Sequence, residues 1–410
     1  MTGAYGGPRT RLLVWVITRA GLLLCVSKVL PFPGPDVTTD VSVIYRGWYE
    51  ILRTGVFPLS DVTWQYPPGA ALAILAPGLP PFSLLGYAGG FFASVLVCDA
   101  AVYALLAYAG GRAGRSPRGA WVWTVGVPLL GPTVYARYDL MVTAVAVAAL
   151  LAGARRPRVL GVLAGFGALL KVWPVLLLVG VPRGRATRRA WAAAGVTAGG
   201  LTLVFLAAMP GALAFLTFQR DRGTEVESLG GMVFHAARYA GWEGRAVLHY
   251  GSVEFLGPYV PLVSGVALAL AVGALGWVVV WRVRVREFGP ATLCDAALVA
   301  VLLFTATSRV ISPQYMVWVV GVGAVCMTFG GSRMGGVVGV VLGATGMTGL
   351  EFPVWFSGVV ASEGAGLVAL TLRNALLVAA TALGCARLWP PSGRPSAVRG
   401  PADTPSRSTV

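Results

Sequence analysis

The chain has 410 residues, 56% hydrophobic and only 12% charged, where an ordinary soluble domain carries about 25% charged residues. With a mean hydropathy of +0.75, this excludes a soluble globular protein and a disordered one, and leaves a polytopic membrane protein. The net charge of +16 argues for nucleic acid only until the charges are located: twenty of the 32 Lys and Arg lie in short segments between apolar runs or at the termini, where only Glu287 and Asp403 join them. That is the positive-inside pattern, which makes those segments cytoplasmic and removes nucleic acid as an expected partner.

Arg9 and Arg11 precede the first apolar run, 12–30, and no small-residue cleavage site follows it, so the run reads as an uncleaved helix. An exterior loop, 31–69, comes next, with Asp36, Asp40, Glu50 and Asp61 against Arg46 and Arg53. From Asp40 the segment DVSVIYRGWYEIL reads as a partly amphipathic helix, with Val43, Gly47 and Ile51 four apart. A carboxylate in its first turn is favoured by the helix dipole; it serves either as a cap or solvated loop charge, or as a general base beside the membrane. Residues 64–72, WQYPPGAAL, form a rigid Tyr-Pro-Pro turn that returns the chain to the bilayer.

Apolar runs follow at 83–109, 119–134, 139–153, 159–170, 173–182 and 190–208. Several are short: twelve residues at 1.5 Å each cover about 18 Å of a core about 30 Å thick. Residues 159–182 are expected to form two short helices meeting at Lys171, or one broken near Pro174. Broken helices persist in a bilayer where they line a buried or watery cavity, so a cavity open to the outer face is expected. The second exterior loop, 209–257, mixes five acids and four arginines with aromatic residues and is expected to hold interfacial amphipathic helices; QRDRGTEVES within it reads as a solvated charged helix or as a substrate contact. Runs at 259–281, 291–305, 314–330, 335–350 and 365–386 complete about twelve spanning or partly spanning helices with both termini cytoplasmic. Residues 1–388 read as one polytopic domain, and 389–410, rich in Pro, Ser and Arg, as a disordered basic cytoplasmic tail. The 55 glycines suit close helix packing in lipid, and the Gly, Ala, Val and Arg content suits the plasma membrane of a high-GC bacterium.

The sharpest chemistry lies in Arg137-Tyr138-Asp139, Lys171 and Arg309, each at the outer end of a helix beside apolar sequence. Charges there snorkel, or are paired and functional; three cations and an acid on one face suit a lipid phosphate or pyrophosphate. Asp99 and Asp295, inside apolar runs, are relay or structural acids. His235 and His249 have no HExxH or HxH partner, and the five cysteines have no CxxC spacing, so neither a metal site nor a disulfide framework is expected. Walker A, GxGxxG and GxSxG motifs are absent, so a sugar source is expected to arrive through the membrane.

The order of motifs resembles a family. An acid after the first helix, Tyr45, Gly55-Val56-Phe57-Pro58, Tyr66-Pro67-Pro68-Gly69, Arg137-Tyr138-Asp139-Leu140, Gly161, Lys171-Val172-Trp173-Pro174, Asp221-Arg222-Gly223 with Glu227-Ser228, and Ser308-Arg309-Val310-Ile311-Ser312-Pro313-Gln314-Tyr315 before Trp318 are similar to the polyprenyl-phosphate-mannose-dependent mannosyltransferases of the GT-C superfamily, glycosyltransferase family 87. The chain departs from that pattern at Thr224-Glu225-Val226, where Gln-Ile is common. The resemblance implies an all-α, GT-C-like membrane enzyme that moves a sugar, mannose first, from a polyprenyl-phosphate donor to a glycolipid, glycan or protein hydroxyl at the outer face, with inversion. It places the base at Asp40, with Asp36 as the alternative, and the donor phosphate on Lys171, Arg309 and Arg137. Asp139, Tyr45, Tyr66, Arg222, Glu227, His235, Gln314 and Tyr315 would line the acceptor or substrate cavity. The expected partners are the lipid-linked donor, a lipid or glycan acceptor and membrane lipids. No cofactor is required by this scheme, and a divalent metal is optional in it. A transporter or flippase of lipid-linked sugar is the alternative, with polar residues near the bilayer midplane.

Overall fold

A computed structural model describes residues 7–220 and 222–389; Asp221 and the tail beyond Trp389 lie outside the described residues. The helices, in chain order, are α1 (Pro8–Val26), α2 (Arg46–Leu52), α3 (Ala70–Leu75), α4 (Gly86–Gly110), α5 (Arg118–Gly126), α6 (Asp139–Gly153), α7 (Pro157–Leu170), α8 (Arg185–Ala208), α9 (Phe215–Arg220), α10 (Leu229–Tyr239), α11 (Val260–Arg284), α12 (Thr292–Ala306), α13 (Tyr315–Thr328), α14 (Gly335–Gly349), α15 (Phe356–Ala361) and α16 (Gly364–Leu388). The architecture is that of an all-α membrane protein. Five helical segments are long and apolar enough to cross a bilayer, those at 82–110, 185–208, 260–284, 335–354 and 364–388. Four apolar helices, α6, α7, α12 and α13, are shorter, at 14 or 15 residues each.

Those short helices are the core. α13 buries every residue from Met316 to Cys326, and α12 every residue from Leu293 to Leu302. The long α8 and α11 run at the edge with most of their apolar surface exposed, as suits contact with lipid. Glycine sets the closest approaches. A Cβ on Gly161 would lie 2.1 Å from the carbonyl oxygen of Ala190, and one on Gly165 2.5 Å from that of Ala194, so α7 and α8 meet through a small-xxx-small stripe on each side.

The chain between 159 and 182 takes the first of its two expected forms. α7 ends at Leu170, Lys171 is extended (φ −155°, ψ 143°), and a short 3-10 turn covers Trp173–Leu178. Asp40–Tyr45 is a π-helical turn that runs straight into α2, so the expected helix from Asp40 forms with a widened start. The second long loop, 209–257, differs from expectation. Besides α9 and α10 it holds a three-stranded antiparallel sheet, in order β1 (Thr224–Glu225), β3 (Ser252–Leu256), β2 (Arg245–His249). Tyr250 and Gly251 join β2 to β3 with φ of 50° and 78°, the positive-φ pair that a two-residue hairpin turn requires. The segment at 224–225, expected as part of a charged helix, is therefore a strand, because its backbone pairs with Glu254 and Phe255.

Asp99 is structural. It accepts from Arg19 Nε (2.9 Å), Trp123 Nε1 (2.7 Å), Tyr135 OH (2.8 Å) and Trp15 Nε1 (3.1 Å), which satisfies a buried carboxylate from three directions.

Candidate active site

α6 starts, α7 stops, α12 stops and α13 starts at the same end of the bundle, because consecutive short helices run antiparallel. The space they leave is a cavity of about 600 Å³, roofed by the first long loop, 31–69, and by the sheet of the second. The turns 154–158, with three arginines, and 329–334, with Arg333, lie at the opposite helix ends. Of the residues singled out in the sequence, Asp40, Tyr45, Tyr66, Arg137, Lys171, Arg222, Glu227, Arg309, Gln314 and Tyr315 line this cavity.

Three are not among its lining. Asp36 points to the surface, held by the Thr38 N–H (2.9 Å) and hydroxyl (2.6 Å) and by Lys28 Nζ (2.7 Å). Burial raises its carboxyl, but Lys28 and Thr38 outweigh that and leave it below the usual range. Asp139 sits beneath the cavity wall, 1% exposed. His235 is buried in a satellite core with Phe234 and Phe255. Its ring lies 2.9 Å from the Val226 carbonyl and 2.7 Å from Ser362 Oγ, which ties the second loop to the turn after α15. Burial lowers its imidazolium, so it is a neutral structural residue.

At one side of the cavity Asp40 Oδ2 meets Arg137 Nη2 at 2.9 Å, with the carboxylate side chain one-third exposed (33%) and the guanidinium buried. Arg137 is fixed in turn by the carbonyls of Ala136 (2.9 Å) and Val37 (3.2 Å). Lys171 Nζ pairs with Asp139 Oδ1 at 2.5 Å, and Trp318 Nε1 donates to the same oxygen at 2.8 Å. The ammonium lies 4.9–5.4 Å from the ring centres of Tyr66, Tyr138, Tyr315 and Trp318, an aromatic cage suited to a cation. Burial, with Asp139 and Asp40 nearby, pushes the Tyr66 phenol upward, so it stays a neutral donor.

The opposite side carries groups that sequence reasoning missed. Glu225 accepts from the Ile311 N–H (2.6 Å) and the Ser312 hydroxyl (3.2 Å), while its own N–H donates to the Arg309 carbonyl (3.0 Å). It thereby sets the 309–312 segment and the side from which Arg309 enters the cavity. Burial raises its carboxyl, opposed by Arg222 and the Ile311 N–H, to about 7. Glu254, buried beneath it, receives Arg222 Nε (3.1 Å), the Gly223 N–H (2.9 Å) and His249 Nδ1 (3.2 Å). Glu227 is held well above the usual range by burial, with Glu351 and Glu225 adding like charge. Its carbonyl receives Arg373 at 2.8 Å, and Arg373 pairs with Glu351 at 3.1 Å. Glu225 ends β1 and Glu227 follows in the turn before α10, and both reach the cavity lining. Glu227 was already expected in the cavity from the sequence; Glu225 and Glu254 were not.

The cavity thus combines the carboxylates of Asp40, Glu225 and Glu227 with four cations, Arg137, Lys171, Arg222 and Arg309, and with hydroxyl and indole donors, a set that suits a phosphate and a polyol together. Compared with known proteins, the chain matches the family model described as Glycosyltransferase family 87 over residues 64–313. That span takes in Tyr66, Arg137, Asp139, Lys171, Arg222, Glu227, His235 and Arg309, while Asp36, Asp40, Tyr45, Gln314 and Tyr315 lie outside it. No curated protein and no solved structure matches.

Proposed function

Because this chain belongs to glycosyltransferase family 87, and so is a membrane glycosyltransferase, we propose that it moves mannose from a polyprenyl-phosphate donor to a hydroxyl of a glycolipid, glycan or protein. The observation that carries this reading is the meeting of Asp40 with Arg309, Arg222 and Lys171 in one cavity, at the end of the bundle away from the basic turns. By the positive-inside rule that end faces outward, with both termini cytoplasmic.

In this reading the acceptor hydroxyl gives its proton to Asp40 as its oxygen attacks the anomeric carbon. The bond from that carbon to the phosphate oxygen breaks, and polyprenyl phosphate leaves with the electron pair. One base and direct displacement invert the anomeric centre, so a β-linked donor yields an α-linked product. Arg137 is bound to Asp40 and acts by positioning it. Arg309 takes the leaving phosphate with Lys171, whose charge is partly offset by Asp139. A base must lie within about 2.6–3.2 Å of the hydroxyl it serves, and the one-third exposure of Asp40 leaves room for that approach.

The test is transfer by the purified, reconstituted protein given labelled mannosyl phosphoryl polyprenol and a glycolipid extract of the host. Asp40→Asn is expected to lose about 10²–10⁴-fold in rate, and Arg309→Ala to raise the KM for donor. Transfer surviving in Asp40→Asn would place the base elsewhere. Failure of the wild type with every lipid-linked sugar, while labelled lipid crosses the bilayer, would replace the reading with a flippase.

A further inference from the structure

The opposite, Arg-rich end of the bundle holds a second cluster that the transfer reaction does not use. Cys294 and Asp295 lie in the first turn of α12, and Cys326 in the last turn of α13 beside it. All three are buried, and their two sulfurs and a carboxylate oxygen fall within 4.8 Å of one another. We propose that Cys294, Cys326 and Asp295 form a binding site for a thiophilic divalent ion, Zn²⁺ being the best match.

Distances support a tetrahedral ion. With Zn–S near 2.3 Å and Zn–O near 2.1 Å, ligand atoms stand about 3.8 Å apart for sulfur to sulfur and about 3.6 Å for sulfur to oxygen. Cys294 Sγ and Asp295 Oδ1 are 3.9 Å apart and the three ligand atoms lie within 4.8 Å of one another, so closure on an ion needs shifts of at most about 1 Å. The carboxylate is already oriented: the Ser332 hydroxyl donates to Oδ1 at 2.6 Å and the Arg333 N–H to Oδ2 at 3.4 Å. Such outer partners are what metal-bound carboxylates carry.

Charge does not oppose the ion. Two thiolates and a carboxylate around a divalent ion carry a net charge of −1, the same as two neutral thiols and a carboxylate, so binding leaves the local charge unchanged. Binding releases one proton from each thiol, and Cys294 gives up its contact with the Ala291 carbonyl, now 3.1 Å. A water completes the four positions. The ion would fasten α12, α13 and the 329–334 turn together beneath the cavity.

The experiment uses the full chain in detergent, stripped by chelator and titrated with Co²⁺ as a coloured substitute for Zn²⁺. One equivalent is expected to give thiolate-to-cobalt charge-transfer absorption with tetrahedral ligand-field bands, and Zn²⁺ to bleach both. Cys294→Ser and Cys326→Ser should each abolish the charge-transfer band or halve it, and Asp295→Asn should weaken binding at least tenfold. Cys98→Ser and Cys385→Ser should leave the titration unchanged. A measurement on the wild type guards against misfolded variants: Zn²⁺ should slow maleimide labelling of Cys294 and Cys326 at least tenfold and leave Cys25 unaffected. Absence of the thiolate band in the wild type, its persistence in the Cys294→Ser/Cys326→Ser protein, or equal labelling with and without Zn²⁺ overturns the proposal.

Discussion

Lys171 and Asp139 form a pair whose two members should fail differently. The side chains are 11% and 1% exposed and meet at 2.5 Å. Lys171→Met leaves Asp139 with only the Trp318 indole N–H at 2.8 Å, and its Oδ2 already has no partner. Stranding a buried charge in this way costs about 3–5 kcal/mol. Asp139→Asn strands the ammonium instead, but four aromatic faces at 4.9–5.4 Å remain around it. At about 0.5–2 kcal/mol for a cation–π contact, the net loss should fall to about 1–3 kcal/mol. The double variant, with both charges gone, should be more stable than Lys171→Met alone, giving a coupling of about 2 kcal/mol or more. Reversible unfolding in mixed detergent and dodecyl sulfate micelles measures all four corners of the cycle. Additive losses would refute the coupling of the pair, and Asp139→Asn proving worse than Lys171→Met would refute the idea that the aromatic cage steadies the cation once the carboxylate is gone.

Asp36→Asn should leave transfer unchanged in the reconstituted assay, since that carboxylate is turned to Lys28 and Thr38 outside the cavity. Gly161→Leu should cost about 1–3 kcal/mol or more in unfolding measurements, because its Cβ meets the Ala190 carbonyl at 2.1 Å; Gly195→Leu, with nothing within 4 Å, is the neutral control. The Glu225 carboxyl titrates near 7 against 4.5 for an ordinary one, so the folded chain holds that proton more tightly than the unfolded one. Its contribution to stability is full below about pH 4.5, declines as pH rises, and is gone above about pH 7. That is roughly 3 kcal/mol of pH dependence, which Glu225→Gln should remove from a series of thermal unfolding curves.

The parts legible in the sequence were those that depend on one segment at a time. Hydropathy located the short runs, and Lys171 at the junction of two of them announced a broken helix. Charges beside apolar ends announced the cavity. What escaped depends on partners far apart in the chain. Asp99 is fixed by Arg19, Trp123 and Tyr135 from three different segments. Cys294 and Cys326 meet only because α12 and α13 pack antiparallel. Asp36 and Asp40, four residues apart, differ in that one pairs with Lys28 and the other with Arg137, which their spacing alone does not reveal. The sheet was readable, for Tyr250-Gly251 between two apolar stretches is a hairpin signal; the charges around it drew attention to a helix instead.

Helix length explains why the chemistry collects where it does. A 15-residue helix covers about 22 Å, so α6 and α12 each fall about 8 Å short of the hydrocarbon core. The deficit must be taken up at one end, and the basic turns 154–158 and 329–334 hold the other end at the polar boundary. The missing length therefore opens at the cavity, below the surface but reachable from it. There Lys171 and Arg137 are buried and matched by Asp139 and Asp40. A transporter would need this polar lining to continue through the bundle. Among the described residues the cavity lining comes from one end only, and below it α12 and α13 are closed by Val, Leu and Ala packing. A site lined from one end lets a substrate enter and its product leave at the same surface, which is the geometry that transfer requires and passage does not.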